Sequence, residues 1–441
     1  MSRSMRIKGR AKIDGIVSVP GDKSISHRVA MLASIAQGVS RITNFATSVD
    51  CHTTLDCIER LGVRVERNDQ EILIHGEGLD GYHPIDTVTR LNAGNSGSTI
   101  RMLSGILAGQ PFTSVTDGDQ SLGRRPLRRI IEPLTSMGAQ IRARDGNYTP
   151  LEIEGGKLRA ISYRSPVASA QVKTCVLFAG LFADGRTVFA EPAPSRNHTE
   201  LMLEEFGARF EIDEVNGNLS IEGRGELTPV RYGVPGDISS AAFFIAAAAL
   251  LNDSKIELRD VNLNPSRTAF LDVMSQLGAN IRITNLRTVH RELVADIHVN
   301  SSQLKSKAEG TVLSGDMIPN IIDEIPILAV VATQVEGRIE VRGARELRIK
   351  ESDRVRTVVA GIRALGGEIE EFEDGFAICG PQNLTGGRIE TEGDHRIAMA
   401  FSIAALIADG STEIVDADCA GVSFPEFYQL LKSLTREGHI E

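Results

Sequence analysis

The sequence predicts an α/β protein with two domains, built from six similar units that are shared three to a domain. Its 441 residues exceed what a single hydrophobic core usually organises, so two domains are expected. One pattern also recurs along the chain: a polar opening rich in glycine, serine or aspartate runs into an apolar helix, usually rich in alanine. The six openings are GDKSISHR from residue 21, NSGSTIRM from 95, SAQVKTCV from 169, GDISSAAF from 236, DEIPILAV from 323 and GDHRIAMA from 393.

A second element follows each opening about 40 residues later: a short amphipathic helix that runs into a turn and then a strand. Alternating segments such as VTRLNAG, RTVFAEP, KIELRDV, RIEVRGA and STEIVDA are typical of strands, so each unit is βαβαββ-like. A chance likeness among glycine- and alanine-rich helices is the alternative, but order and spacing hold in five of the six units. The copies of the second element are CIERLGVRVE, PLTSMGAQIR, MLEEFGARFEI, VMSQLGANIRI, GIRALGGEIEE and a degraded LLKSLTREG.

The junction between the domains is expected just before the fourth opening, GDISSAAF. A first strand at residues 13–19 precedes the first opening, and we expect it to belong to the C-terminal half. The predicted domains are therefore residues 1–19 with 235–441, and residues 20–234.

Composition excludes several classes of protein. The chain is 41% hydrophobic and 24% charged, and it has no uninterrupted apolar stretch of the ~18 residues that a membrane span needs. Its net charge is −10, and the basic residues form short clusters and no stripe, so nucleic acid is not an expected partner. Five cysteines without metal-type spacing, and a start without an apolar signal region, favour a reduced, cytoplasmic protein.

The openings are candidate anion sites. A turn rich in glycine and serine at a helix N-terminus presents unpaired backbone N–H groups and the positive end of the helix dipole. Each cation there, taken singly, is most simply a solvated surface charge. Their recurrence at one structural position favours pockets for ligands with several negative charges, such as two phosphorylated substrates. The cations of the openings are Lys23, His27, Arg28, Arg101, Lys173, His395 and Arg396, and further clusters lie in SLGRRPL, SRNHTE and RIKESDRVR.

Few acids lie among these cations. Asp323 and Glu324 begin an apolar helix in IDEIP, and Glu351 stands between cations in KESDR. A carboxylate inside an anion site is suited to accept a proton, although an aspartate at a helix start is as often an N-cap. For Asp394 in GDHR the alternatives are capping a helix or holding His395, with the following arginine facing the ligand.

Several common chemistries have no support in the sequence. It contains no GxxxxGK[ST] loop, no GxGxxG between strand and helix, no GxSxG elbow and no HExxH pair. The nine histidines are scattered and the cysteines form no cluster. We therefore expect no metal and no cofactor.

The motifs PGDKSISHR, NSGSTIR, RRP, SAQVK, SRNHTE, IDEIP, KESDR and GDHRIAMA resemble those of the EPSP synthase family, in order and over essentially the whole chain. The resemblance implies two inside-out α/β barrel domains of the enolpyruvyl transferase type, with the active site in the cleft between them. It also implies transfer of enolpyruvate from phosphoenolpyruvate (PEP) to the 5-hydroxyl of shikimate-3-phosphate, with release of phosphate. This is a step of aromatic amino-acid biosynthesis, and the family is the target of glyphosate, which occupies the PEP site.

The resemblance also implies roles for individual residues. Asp323 corresponds to the general base, and Glu351 and Lys23 are the candidates for proton transfer at the PEP methylene. The shikimate-3-phosphate contacts correspond to Lys23, Ser24, Arg28, Ser169, Ala170, Gln171, Ser195, Arg196, Asp323 and Lys350. The PEP contacts correspond to Lys23, Gly97, Arg125, Gln171, Arg354 and Arg396.

Three positions depart from other members of the family. Val422 stands where some have a lysine, Ala170 replaces a serine, and Glu346 replaces an asparagine.

Two other functions compete with this interpretation. The sister transferase that acts on UDP-N-acetylglucosamine has a KN pair in its first opening and usually a reactive cysteine in a later loop. Here the pair is Lys23-Ser24, and the loop DGDQSLGRRP has no cysteine. A non-catalytic repeat protein that binds phosphorylated ligands is less consistent with acids placed among cations. A monomer is expected.

Overall fold

The computed structural model describes residues 3–68, 70–213, 215–435 and 438–441. Its α-helices are α1 Lys23–Ser34, α2 Val49–Arg60, α3 Gly97–Ala108, α4 Arg128–Met137, α5 Ala170–Gly180, α6 His198–Glu205, α7 Ile238–Leu250, α8 Ala269–Gln276, α9 Ile318–Ile321, α10 Ile325–Ala332, α11 Arg354–Ala364, α12 His395–Ile407 and α13 Phe427–Leu434.

The strands of the first half are β1 Met5–Lys8, β2 Asp14–Val17, β3 Gln37–Thr43, β4 Arg64–Arg67, β5 Glu71–Glu77, β6 Val88–Asn92, β7 Thr113–Asp117, β8 Gln140–Arg144, β9 Tyr148–Glu154, β10 Leu158–Arg159, β11 Ser162–Arg164, β12 Ala183–Asp184, β13 Arg186–Ala190, β14 Phe210–Asp213, β15 Asn218–Glu222 and β16 Arg231–Gly233. Those of the second half are β17 Lys255–Asn262, β18 Asn280–Val289, β19 Glu292–Asn300, β20 Thr311–Leu313, β21 Gly337–Val341, β22 Glu370–Phe372, β23 Gly375–Gly380, β24 Arg388–Glu390 and β25 Ser411–Val415.

The repeated unit predicted from the sequence is present. Each of the six openings leads into a helix, namely α1, α3, α5, α7, α10 and α12, and a second helix follows in every unit. The second of the six repeats shows the full order β6-α3-β7-α4-β8-β9. Its strands form one sheet in the order β6-β7-β9-β8, with β6 parallel to β7 and the other pairs antiparallel. The sheets β11-β13-β15-β14 and β20-β21-β23-β22 repeat this arrangement.

The first and fourth repeats exchange their first strands. β2 precedes α1 in sequence but pairs in parallel with β17 of the fourth unit, and β16 precedes α7 but pairs in parallel with β3 of the first. The degraded sixth unit is completed from the other end of the chain, because β1 pairs antiparallel with β25. Strand β1 was not predicted from the sequence, nor was the pairing of β16.

The helices lie inside and the sheets outside. α7 and α12 bury nearly every residue, and the helix of each other opening is buried over most of its length. Strands such as β5 and β9 instead alternate buried and more exposed residues, as sheets with one solvated face do. This explains why the opening helices are apolar all round: a helix with no solvated face has no use for a polar stripe. The inside-out α/β arrangement predicted for each domain is confirmed.

Contacts between residues also divide the chain into two compact parts, each much larger than one of the six repeats; these parts are called unit 1 and unit 2 from here on. Unit 1 comprises Met1–Pro20, Pro235–Thr288 and Leu293–Glu441, and unit 2 comprises Gly21–Val234 and Val289–Glu292. Each unit has its own hydrophobic core. Among the residues described, no helix has both the length and the apolar character needed to cross a membrane.

Candidate functional site

In unit 2 the sequence-predicted residues gather at the N-termini of α1, α3 and α5. Each of these helices begins after a polar N-cap whose side chain accepts a hydrogen bond from a backbone N–H group: Asp22, Ser96 and Ser169. The caps satisfy one orphan donor each, and the dipole of each helix points its positive end toward the opening. The openings therefore have the geometry expected of anion sites.

Lys23 and Arg28 project from the first turns of α1. Lys23 forms an ion pair with Asp50, which the sequence analysis did not single out and which lies in the first turn of α2. Arg28 is 3% exposed and donates from Nε to the Thr199 hydroxyl at 2.7 Å. Its Nη atoms donate to the Ser24 carbonyl at 2.9 Å and, more weakly, to the Ala170 carbonyl at 3.5 Å. Each of these acceptors is a neutral oxygen, and together they fix the direction of the guanidinium group.

Gly97, Arg125 and Gln171 form a second group. The Arg101 guanidinium donates to Gln171 Oε1 at 2.9 Å, and Gln171 Nε2 donates to the Ser98 hydroxyl at 3.0 Å. Arg125 donates to the side-chain oxygen of Asn95 at 2.7 Å. A Cβ atom on Gly97 would lie 2.7 Å from Arg101 Nη1 and 3.4 Å from Arg125 Nη1. Gly97 is the first residue of α3 and is not in the left-handed region, so its hydrogen side chain matters for space beside these two arginines.

Lys173 differs from the other cations of the openings. It is 1% exposed, and its Nζ lies 3.0 Å from Glu191 Oε1 and 2.6 Å from Glu200 Oε1. Burial raises the pKa of Glu200, against the opposing effect of Lys173. The expectation that Lys173 helps to attract an anion is wrong, because two acidic side chains already compensate its charge.

Ser195 and Arg196 follow β13 in a short loop. The Ser195 hydroxyl donates to Glu191 Oε2 at 2.6 Å, and its backbone N–H donates to Oε1 of the same carboxylate at 2.9 Å. Ser195 is buried and Arg196 half-buried. The loop that carries Arg196 is therefore tied to a buried acid.

His27 is also not the cation that its place in the opening suggested. Its ring is wholly buried and shares a hydrogen bond of 2.7 Å between Nδ1 and the Thr54 hydroxyl. Burial, and then the charges of Lys23 and Arg28, hold the pKa of His27 well below its usual value. The ring is uncharged near neutral pH.

In unit 1 the predicted residues converge on Asp323. Its Oδ1 lies 3.8 Å from Lys350 Nζ, 3.6 Å from Arg354 Nη1 and 3.9 Å from Arg396 Nε. Arg396 also donates to the Asp323 carbonyl at 2.9 Å. The cap position of α10 falls on Glu324. Three cations around one carboxylate stabilise its negative charge.

Arg354 is held in a buried network. It is 1% exposed and donates to Asp394 Oδ2 at 2.8 Å and to Glu351 Oε2 at 2.5 Å. Burial opposes its charge, but Asp394 and Glu351 outweigh that effect and raise the pKa of the guanidinium above its usual range. Burial likewise pushes the pKa of Asp394 upward, yet Arg354 more than offsets this and the pKa is lowered. Asp394 also caps α12, accepting from the Arg396 N–H at 2.9 Å, so of the two roles considered for this residue capping is confirmed.

A further polar network in unit 1 was missed from the sequence. Glu324 is 2% exposed, lies 3.7 Å from Arg396 and accepts a hydrogen bond from the Ser239 hydroxyl. Arg267 donates to the same hydroxyl at 2.5 Å and lies 3.7 Å from Asp237. The opening GDISS, which contains Asp237 and Ser239, could have indicated this network. Arg267 gave no such indication, because it lies in a loop outside the motifs.

Each unit therefore brings its own set of predicted residues together. Unit 2 holds Lys23, Ser24, Arg28, Gly97, Arg125, Ser169, Ala170, Gln171, Ser195 and Arg196, and unit 1 holds Asp323, Lys350, Glu351, Arg354 and Arg396. In the described part of the chain, histidine, cysteine and acidic side chains form no group suited to a metal ion.

Comparison with known proteins places the chain in a family. Residues 7–431 match the family model described as EPSP synthase (3-phosphoshikimate 1-carboxyvinyltransferase). The chain is 52% identical to the 3-phosphoshikimate 1-carboxyvinyltransferase of Solibacter usitatus over 97% of its own length and 99% of that protein, and 48% identical to that of Koribacter versatilis over 98% and 99%.

Solved structures are similar as well. An EPSP synthase from Acinetobacter baumannii matches with a TM-score of 0.87 and 39% identity, over 99% of each chain. The enolpyruvyl transferase NikO of Streptomyces tendae has a TM-score of 0.78 over 100% of this chain and 99% of its own, but its 16% identity establishes likeness of fold alone. With the family model and these close relatives in agreement over nearly the whole chain, this protein belongs to the EPSP synthase family.

Proposed function

We propose that this protein transfers the enolpyruvyl group of PEP to the 5-hydroxyl of shikimate-3-phosphate and releases phosphate, within the shikimate pathway of aromatic amino-acid biosynthesis. The observation that carries the proposal is the Asp323 cluster, a carboxylate with three cations within 4 Å, in a chain that belongs to the EPSP synthase family. Such a carboxylate stays ionised beside anionic substrates and can accept a proton.

In the proposed reaction Asp323 removes the proton of the 5-hydroxyl as its oxygen attacks C2 of PEP. A proton is added to the PEP methylene carbon, and Lys23 and Glu351 are the two candidates for delivering it. The tetrahedral product then loses phosphate, and a proton of the new methyl group returns to the residue that delivered the first one, which restores the enol ether. Lys23 is ion-paired with Asp50 and Glu351 with Arg354, so a partner holds each candidate side chain in position.

The remaining residues bind and orient the substrates. Arg125, Arg354, Arg396, Gln171 and the Gly97 backbone are proposed for PEP. Asn95 fixes the Arg125 guanidinium through its side-chain oxygen, and a positive charge held in place can stabilise phosphate as it departs. For shikimate-3-phosphate we propose Lys23, Ser24, Arg28, Ser169, Ala170, Gln171, Ser195, Arg196, Asp323 and Lys350.

One assay separates the proposal from its alternatives. Phosphate release is measured with PEP and shikimate-3-phosphate and, in parallel, with PEP and UDP-N-acetylglucosamine. Release with the first pair alone is expected. Release only with the second pair would indicate the sister transferase, and binding of shikimate-3-phosphate without release would indicate a non-catalytic binding protein.

We also propose that the protein is a cytoplasmic monomer that needs no cofactor. All five cysteines are free thiols, which supports a reducing compartment. Light scattering after size exclusion should give the mass of one chain, and dialysis against a chelator should leave phosphate release unchanged.

A further inference from the structure

We infer that Glu191 is a positioning residue for the phosphate of shikimate-3-phosphate, and that it acts by holding the loop that carries Ser195 and Arg196. The inference rests on the proposed function. Glu191 directly follows β13, so a strand of the unit 2 core sets its position.

The Glu191 carboxylate gathers three donors. Oε1 accepts from the Ser195 N–H at 2.9 Å and from Lys173 Nζ at 3.0 Å, and Oε2 accepts from the Ser195 hydroxyl at 2.6 Å. Lys173 Nζ also donates to the Ser195 carbonyl at 3.2 Å. Ser195 is therefore held through its N–H, its hydroxyl and its carbonyl, which constrains the direction in which the next residue leaves the loop.

Both donors of Ser195 are thus directed at Glu191. In this arrangement Ser195 serves mainly to fix the loop, and Arg196 supplies the charge that a phosphate group requires. Hydrogen bonds to a buried carboxylate suit this role, because they are stronger and more directional than bonds between neutral groups.

A negative group beside an anion site would repel the ligand unless it were compensated. Lys173 provides that compensation, since it is 1% exposed and contacts both Glu191 and Glu200.

Glu200 offers a matched control. Like Glu191 it is a buried partner of Lys173, with side chains 6% and 9% exposed. Within the described part of the chain, however, its carboxylate makes no hydrogen bond to Ser195. Replacing either acid by glutamine disturbs the same lysine, but only Glu191→Gln weakens the hold on the loop, because an amide has one oxygen to accept from three donors.

The test uses the full chain and compares wild type, Glu191→Gln, Glu191→Asp and Glu200→Gln. Phosphate release gives kcat and KM for each substrate, and calorimetry gives Kd for shikimate-3-phosphate. Glu191→Gln should raise KM and Kd for shikimate-3-phosphate about tenfold, with kcat and the KM for PEP changed less than about twofold. Glu191→Asp should shift the same constants in the same direction by less, and Glu200→Gln should leave them within about twofold of wild type.

Equal effects of Glu191→Gln and Glu200→Gln would overturn the inference, as would a parallel change in kcat and both KM values. If thermal melting shows that Glu191→Gln does not fold, Glu191→Asp decides, because it keeps the charge partner of Lys173. An unchanged KM for shikimate-3-phosphate in that variant would refute the inference. Failure of the proposed function would look different, since wild type itself would then release no phosphate.

Discussion

The two units hold their arginines in different ways. In unit 2, Arg28 and Arg125 donate to hydroxyl, carbonyl and amide oxygens. In unit 1, Arg354 donates to two carboxylates and lies 3.6 Å from a third. Neutral acceptors fix an arginine without cancelling its charge, whereas carboxylate partners tie the arginine into a network that also orders the acids.

This difference indicates a division of labour. The arginines of unit 2 are suited to hold anions, while the network of unit 1 is suited to orient Asp323 and Glu351 for proton transfer. Replacing Asp323 in unit 1 should therefore chiefly reduce turnover, and replacing Arg125 in unit 2 should chiefly weaken binding.

The largest effect is expected in unit 1. Asp323→Asn removes the proposed base, so kcat should fall by roughly 10²–10⁴-fold, the usual contribution of a positioned acid or base. Calorimetry should show a much smaller loss of shikimate-3-phosphate binding. Asp316→Asn, an exposed change a short way upstream in the same unit, is the control and should behave as wild type. Turnover near wild type in Asp323→Asn would mean that this carboxylate serves only the local structure.

The arginines test the comparison directly. Arg125→Ala should raise the KM for PEP by about 10–100-fold, since a hydrogen bond to a charged group is lost, with little change in Kd for shikimate-3-phosphate. Arg396→Ala should raise the same KM and also lower kcat, because Arg396 holds the Asp323 carbonyl.

The exposed neighbour Arg124 provides the control for Arg125, and Arg124→Ala should leave both constants unchanged. If Arg125→Ala weakened the binding of both substrates equally, Arg125 would not be a specific PEP contact.

Gly97→Ala should separate substrate from inhibitor. Wild type should be inhibited by glyphosate in competition with PEP. The added methyl would press on the Arg101 and Arg125 guanidinium groups, which can shift because they end flexible side chains. Glyphosate is longer than PEP, so it should lose at least about tenfold in affinity while most PEP turnover remains.

Titration of glyphosate against wild type, Gly97→Ala and Gly156→Ala measures this effect. A Cβ atom on Gly156 would meet nothing within 4 Å, so that variant should match wild type. Equal inhibition constants in all three would remove Gly97 from the PEP pocket.

The smallest effect concerns stability. His27 is buried and uncharged with a lowered pKa, so the unfolded chain binds a proton near pH 6.5 that the folded chain does not. Its contribution to stability is present above that pH and is lost as the pH falls. Between pH 7.5 and 5.5 this should cost wild type on the order of 1 kcal/mol. His27→Gln should lose less over the same interval.

Melting temperatures of both proteins at the two pH values measure the difference, and groups common to both proteins cancel. A larger pH-dependent drop in His27→Gln than in wild type would contradict the assignment of a neutral ring.

Much of the site was predictable because it lies at helix N-termini. The openings around Lys23, Gly97, Ser169 and Arg396 combine a local turn, a cap and a cation within a few residues, and the sequence displays all three. The partners of these residues were not predictable, since Asp50, Glu191 and Glu324 come from other elements of the chain. Lys173 and His27 were misjudged for the same reason: whether a cation is exposed, compensated or neutral depends on what packs against it.

The sequence was sufficient to predict the six repeats, the alternation of helix and strand, and the apolar opening helices that form the interior. These follow from local periodicity and from turn residues, which act within a few positions of the chain. Three features became visible only in the folded chain: β2 and β16 are exchanged between the first and fourth repeats, β1 completes the last sheet, and Glu191 and Glu200 compensate the charge of Lys173. These contacts join residues that are far apart in sequence. No local pattern shows which distant strand edge or charged side chain will be the neighbour, because that depends on how the whole chain packs.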